Sequence, residues 1–196
     1  MRSVIESLKS TQEETDSRIT HFGKQSSPEY CSALLGLHAF SGCDSTSAFK
    51  GIGKVKPVKL LQQHIKFAQP LVLLGEHWTV SQHLLASLEE FTCALYGKFR
   101  FSDVDEVRFV MLKERCKGDE EQISKSVHVD LSLLPPCKDS LHQHIRRVNY
   151  QVAIWKRAHE PTPTIPPPTE EHGWTKDGDN LEPLWTTACI LPPNTC

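Results

Sequence analysis

Between Ser45 and Gly75 the sequence has no aspartate or glutamate, yet Lys50, Lys54, Lys56, Lys59 and Lys66 all fall there. The chain as a whole carries a net charge of only -2, so it is not a polyelectrolyte; one sign of charge is concentrated locally, as on a surface that faces a polyanion. Long apolar runs are missing too. Pro70 to Leu74 is the longest, far too short to span a membrane, so no membrane partner is expected. The first twenty residues are polar and include Glu6, Glu13, Glu14 and Asp16, which does not fit a signal peptide. No pair among the seven cysteines has C-x-x-C spacing, and the number is odd. This speaks against a disulfide framework and for reduced thiols, hence a nuclear or cytoplasmic protein. His142-x-His144 with nearby Cys137 does not complete a tetrahedral zinc set. No convincing strand pattern or internal repeat is present, so the expected fold class is mostly α.

Hydrophobic residues make up 38% of the chain, enough for a core. Residues 1–27 read as a loosely ordered lead-in. Ser27-Pro28-Glu29 is a helix start, with a capping serine, proline at the first position and an acid at the positive dipole end. The helix is expected to run to about Phe40 and, apolar on most sides, to be buried. Gly42 ends it, and Asp44 or Ser45 is expected to cap a short helix to about Phe49. Pro57 sits in the first turn of the next helix, with Val58, Leu61 and Ile65 as its inner stripe. Pro70 to His77 is a short apolar piece. Thr79-x-x-Gln82 resembles a capping box before a helix over 80–96, on which Leu84, Leu88, Phe91 and Leu95 form one face and Gly97 the stop. Ser102-x-x-Asp105 is read as the cap of a helix to about Arg115, and residues 117–136 as charged, then extended. A last helix over 138–159 has Leu141, Ile145, Val148, Val152 and Trp155 inside. Its basic residues Lys138, Arg146, Arg147, Lys156 and Arg157 are either a second contact to a polyanion or a solvated face. Pro161 to Pro168 is a polyproline-type connector, or a ligand for a proline-binding protein partner. The tail beyond it has no periodicity, and Trp174 and Trp185 are candidates to staple it to the helical body. The expected organisation is a lead-in (1–27), a helix–two-turn–helix module (28–66), a helical domain (67–160) and a connector with irregular tail (161–196).

Gly51-Ile52-Gly53-Lys54 between two helices carries the most chemistry. Glycine permits positive φ and leaves backbone N–H groups uncovered, and a helix N-terminus favours an anion. A phosphate oxygen fits there without any base being read, and Lys54, Lys56 and Lys59 around it would add counterion-release affinity. Ile52 is expected to plug the turn into the core. Asp44 is either a helix cap or a metal-binding carboxylate, and one carboxylate does not hold a catalytic magnesium pair. Cys43 is either a half-buried structural thiol or a reactive one.

Leu34-Leu35-Gly36-Leu37-His38-Ala39-Phe40-Ser41-Gly42-Cys43-Asp44, followed by Phe49-Lys50-Gly51-Ile52-Gly53-Lys54 and Val58-Lys59-Leu60-Leu61, resembles the helix–two-turn–helix region of flap endonucleases. These are structure-specific 5′ nucleases with a PIN-like core. The resemblance spans Ser32 to His64. It implies that Asp44 is a metal (Mg²⁺) ligand and that Gly51, Ile52 and Gly53 grip one DNA strand through backbone amides and a bound K⁺, with Lys54 and Lys56 helping. The sequence departs from the family at Ser45, where an aromatic is usual, at Lys54, where proline is usual, and at Pro57, where a small residue is usual. Only 43 residues precede Asp44, and they contain no D-x-D pair and no strand-like run. The expectation is therefore the helical C-terminal part of a PIN-like 5′ nuclease fold, lacking most of the α/β catalytic core. The stretch from Tyr30 to about Trp185 also resembles uncharacterised invertebrate and fish proteins, some transposon-derived. They share a G-C-D-x-x-S-x-F step, a P-P-C-K-D-like segment (Pro135 to Asp139 here) and a G-W segment (Gly173-Trp174). The functions expected are sequence-independent binding of duplex or branched DNA without catalysis in this chain, or a piece of a magnesium-dependent nuclease, or a protein-interaction or inert remnant.

Overall fold

The computed structural model describes residues 28–116 and 130–187. The expected lead-in, much of the charged stretch after Cys116 and the last residues of the tail lie outside them. Among the described residues there are six α-helices and one small two-stranded sheet, so the mostly-α class holds. The helices are α1 (Pro28–Phe40), α2 (Val55–Gln63), α3 (Ala68–Leu73), α4 (Gln82–Leu95), α5 (Val104–Cys116) and α6 (Lys138–Lys156). None of them is long and apolar enough to cross a membrane.

α1 begins at the proline that the sequence marks and buries Tyr30, Ala33, Leu37, Ala39 and Phe40. It packs against α3 and α6. Gly36 makes the α1–α3 approach possible: a Cβ there would sit 2.1 Å from the Leu71 carbonyl oxygen. Pro70 is tolerated in α3 because it falls in the first turn, where its missing N–H has no helical partner to lose. Phe40 is central to the core, its ring 5.4 Å from Phe49, 5.5 Å from Phe91 and 5.4 Å from the His144 imidazole. One buried cluster draws on both the 28–66 and the 67–160 stretches, from Tyr30 through Ile52 and Leu61 to Val152, so the glycine turn is seated on the same core as the later helices.

Helix ends follow the chemistry of caps, though twice through a neighbour of the expected residue. α4 is capped by Ser81, whose hydroxyl accepts from Leu84 N–H, and not by Thr79. Asp103, and not Ser102, accepts from the N–H groups of Asp105 and Glu106 at the start of α5. Gly97 does stop α4: with φ at 79°, its N–H bonds Ala94 O while Lys98 N–H reaches Cys93 O, a Schellman ending.

Three further expectations are corrected. No helix forms over 44–49; Cys43 and Thr46 instead exchange both backbone hydrogen bonds at 3.2 Å, and the Thr46 hydroxyl donates to Ala39 O, folding the chain back on α1. Ile65 leaves the inner stripe of α2, because the helix ends at Gln63, and it is 45% exposed. The tail is not wholly irregular. β1 (Trp174–Asp177) and β2 (Asn180–Pro183) pair antiparallel across Gly178 and Asp179. The stretch 161–168 has no regular structure, and the Tyr150 hydroxyl donates to Pro166 O.

The second basic cluster is largely spent inside the fold. Lys156 donates to Val72 O and Glu76, and Arg157 to the carbonyls of Gly75 and Glu76, together holding the end of α3. Lys138 pairs with Asp103 at 2.7 Å and with buried Glu89 at 3.2 Å. Arg147 is neither a solvated face nor a free contact: it is 2% exposed.

Candidate nucleic-acid interface

Phe49 to Ile52 form a tight turn, closed by Ile52 N–H donating to Phe49 O at 3.0 Å. Gly51 is its third residue with φ at 76°, a value that a side chain would strain. Phe49 and Ile52, the two ends, are both buried, so the turn is anchored at each side and Ile52 is the plug that the sequence suggests. Gly51 and Gly53 between and beyond them are exposed, and at Gly53 a Cβ would meet nothing within 4 Å. Backbone amides are therefore accessible where the chain enters α2. That helix has no side-chain cap at its N-terminus and no acid in its first turn. At its start Lys56 N–H donates to Gly53 O at 3.2 Å and Pro57 has no N–H, so the Val55 amide, reached through exposed Gly53, is the one left at the positive end of the dipole.

The lysines around this point divide into two sets. Lys54 is turned inward, and its ammonium donates to His38 O at 2.7 Å, to Ser41 Oγ at 3.0 Å and to Gly42 O. It stabilises the carbonyl end of α1, where a cation opposes the helix dipole. This corrects its expected place among the phosphate contacts. The oxygens at that end of α1 are thus held by a built-in ammonium. Lys50 pairs with Asp130 at 3.2 Å and with Ser132. Lys56 and Lys59 are exposed on α2, with no hydrogen-bond or ion-pair partner among the described residues. They line a groove of about 530 Å³ that continues from Gly53 along α2 to Phe99, and no acid among the described residues lines it. Phe99 is 53% exposed, with its ring 5.0 Å from His64. Sequence reasoning missed Phe99; the signal was the basic–aromatic alternation Lys98-Phe99-Arg100-Phe101.

Asp44 is exposed at the apex of the Cys43–Thr46 turn. Among the described residues no three His, Cys, Asp or Glu side chains come together as a metal-holding group. A lone carboxylate does not fit a magnesium pair. Beside it, burial pushes the Cys43 thiol up, but hydrogen bonds with Ser45 and Thr46 outweigh that and bring it below the usual thiol value. Its contact with Thr46 Oγ1, at 3.1 Å, makes it part of the turn's own network.

No protein-family model, no characterised protein and no solved structure matches the chain.

Proposed function

We propose that this protein binds the sugar–phosphate backbone of duplex or branched DNA without reading base sequence, as a helix–two-turn–helix grip of the flap-endonuclease type. The observation that carries this reading is the uncapped N-terminus of α2, entered through exposed glycines and followed by two unpartnered lysines. A phosphate oxygen would accept from the amides at Gly53 to Val55, and Lys56 and Lys59 would meet the next phosphates along the groove. Phe99 offers a ring face to a sugar or an unstacked base at the groove's far end. No hydrolysis is proposed, since Asp44 belongs to no metal-holding cluster among the described residues.

The test is fluorescence anisotropy with two labelled duplexes of unrelated sequence and a branched duplex at low salt. Equal affinity for the two duplexes, within about threefold and in the micromolar range typical of non-specific binding, is the expected result. A large preference for one sequence, or no binding at concentrations of about 100 µM, overturns the reading.

A further inference from the structure

On the other side of the same turn lies a cleft of about 370 Å³, where three stretches distant in sequence meet: Ser47 to Lys50, Leu131 to Pro136 and the middle of α6. Its lining includes the rings of Phe49, Tyr96 and Trp185 and the flat faces of Pro135 and Pro136. Lys50, Arg108 and Arg147 line it as well, and no aspartate or glutamate among the described residues does.

One of these cations is already answered by a carboxylate. Lys50 has Asp130, and Arg108 donates to Pro135 O at 2.5 Å. Arg147 has no carboxylate partner among the described residues. Its Nη1 donates to Gly173 O at 3.0 Å and Leu184 O at 2.6 Å, at the two ends of the β1–β2 hairpin. That clamp explains one half of the guanidinium. The other half, Nη2, has only a contact of 3.5 Å with Ser47 Oγ, and the group lies 5.2 Å from the Trp185 ring centre. A guanidinium 2% exposed and met only by neutral groups pays a desolvation cost that a bound anion would offset.

The neighbouring histidine decides between binding and catalysis. His144 is buried, and its Nε2 lies 2.9 Å from Phe40 O. A carbonyl can only accept, so Nε2 carries the proton and Nδ1 is an acceptor, 3.4 Å from Ser47 Oγ. Ser47 and His144 thus have the arrangement of a nucleophile and its base. But burial, outweighing the Phe40 hydrogen bond, pulls His144 down to about 4. A base so far below neutral pH accepts protons poorly, and the pair serves to orient the Ser47 hydroxyl.

We infer that this cleft is a binding site for a small aromatic anion, a single flat ring system bearing a carboxylate or a phosphate. The charged group would replace the long Ser47 contact on Nη2 of Arg147, and the ring would lie among Trp185, Phe49 and the proline faces. The volume suits such a ligand and is too small for a polymer. This site is independent of the DNA reading.

Calorimetric titration tests it with two pairs of probes: indole-3-acetate against indole-3-acetamide, and adenosine monophosphate against adenosine. The expected result is that at least one anion binds about tenfold or more tightly than its uncharged counterpart. Which pair does so tells carboxylate from phosphate. Trp185→Ala, at an exposed position, should fold normally and lose about tenfold of that affinity, and Arg147→Met, checked for folding by circular dichroism, should lose the preference for charge. Lys56→Glu should leave it unchanged. No preference for either anion, full affinity in Trp185→Ala, or loss in Lys56→Glu would each overturn the inference.

Discussion

Replacing Lys56 and Lys59 together by glutamate is expected to weaken DNA binding by about 30-fold or more at physiological salt. Counterion release sets the size of the loss. Each phosphate neutralised contributes about 0.9 to the slope of log K against log salt, close to a factor of five at about 0.15 M. Two lost contacts multiply, and the two new negative charges add repulsion. Both residues are exposed and unpartnered among the described residues, so the urea midpoint should move little. Lys66 supplies the control. It lies in the same acid-free window but is paired with Glu90 at 2.7 Å, so Lys66→Glu should change affinity by less than about twofold. Equal losses in the two variants would mean diffuse attraction to a basic surface, not a grip at the start of α2.

Stability is expected to fall by about 2 kcal/mol between pH 7 and pH 5, chiefly through His144. In the unfolded chain its imidazole takes a proton near the ordinary value of 6.5; in the fold, burial lowers this to about 4. Between those values the unfolded state holds the extra proton, so stability rises with pH across the window and is lost as pH drops from 6.5 toward 4. The charged group nearest to it, Arg147, acts in the same direction, by repelling a second positive charge. His172, also buried, is lowered as well and adds to the trend. The lowered carboxylates of Glu76 and Asp103 stay ionised at pH 5 and contribute only in more acid solution. Urea unfolding at the two pH values, for the native chain and for His144→Asn, isolates the effect. The native chain should lose clearly more than the variant. Equal losses would mean that His144 takes up its proton in the fold as readily as in the unfolded chain.

Two helices with a regular apolar stripe, α4 and α6, and the apolar α1 with its proline start were legible in the sequence. α1, α4 and α6 lie where their proline, glycine and leucine patterns place them, because burial of one face and a backbone-defined end are local signals. The Gly51 turn was legible for the same reason: a positive φ needs glycine there. What was not legible depends on partners far along the chain. Arg147 reads as a surface cation until the carbonyls of Gly173 and Leu184 close around it. Lys54 reads as a phosphate contact until α1's carbonyl end meets it. The 43–49 stretch contains good helix caps, but Thr46 prefers the Ala39 carbonyl. The β hairpin has strands of four residues with little alternation, although Asp177-Gly178 was a turn signal that could have flagged it.

The most direct measurement is the salt dependence of duplex binding by the unmodified chain, from about 50 to 300 mM monovalent salt. With Lys56 and Lys59 as the principal phosphate contacts, log K should fall linearly against log salt with a slope near -2, and the double glutamate variant should bring that slope close to zero. A flat line for the unmodified chain, or a steep one that the double variant leaves untouched, would contradict the proposal that the start of α2 holds the DNA backbone.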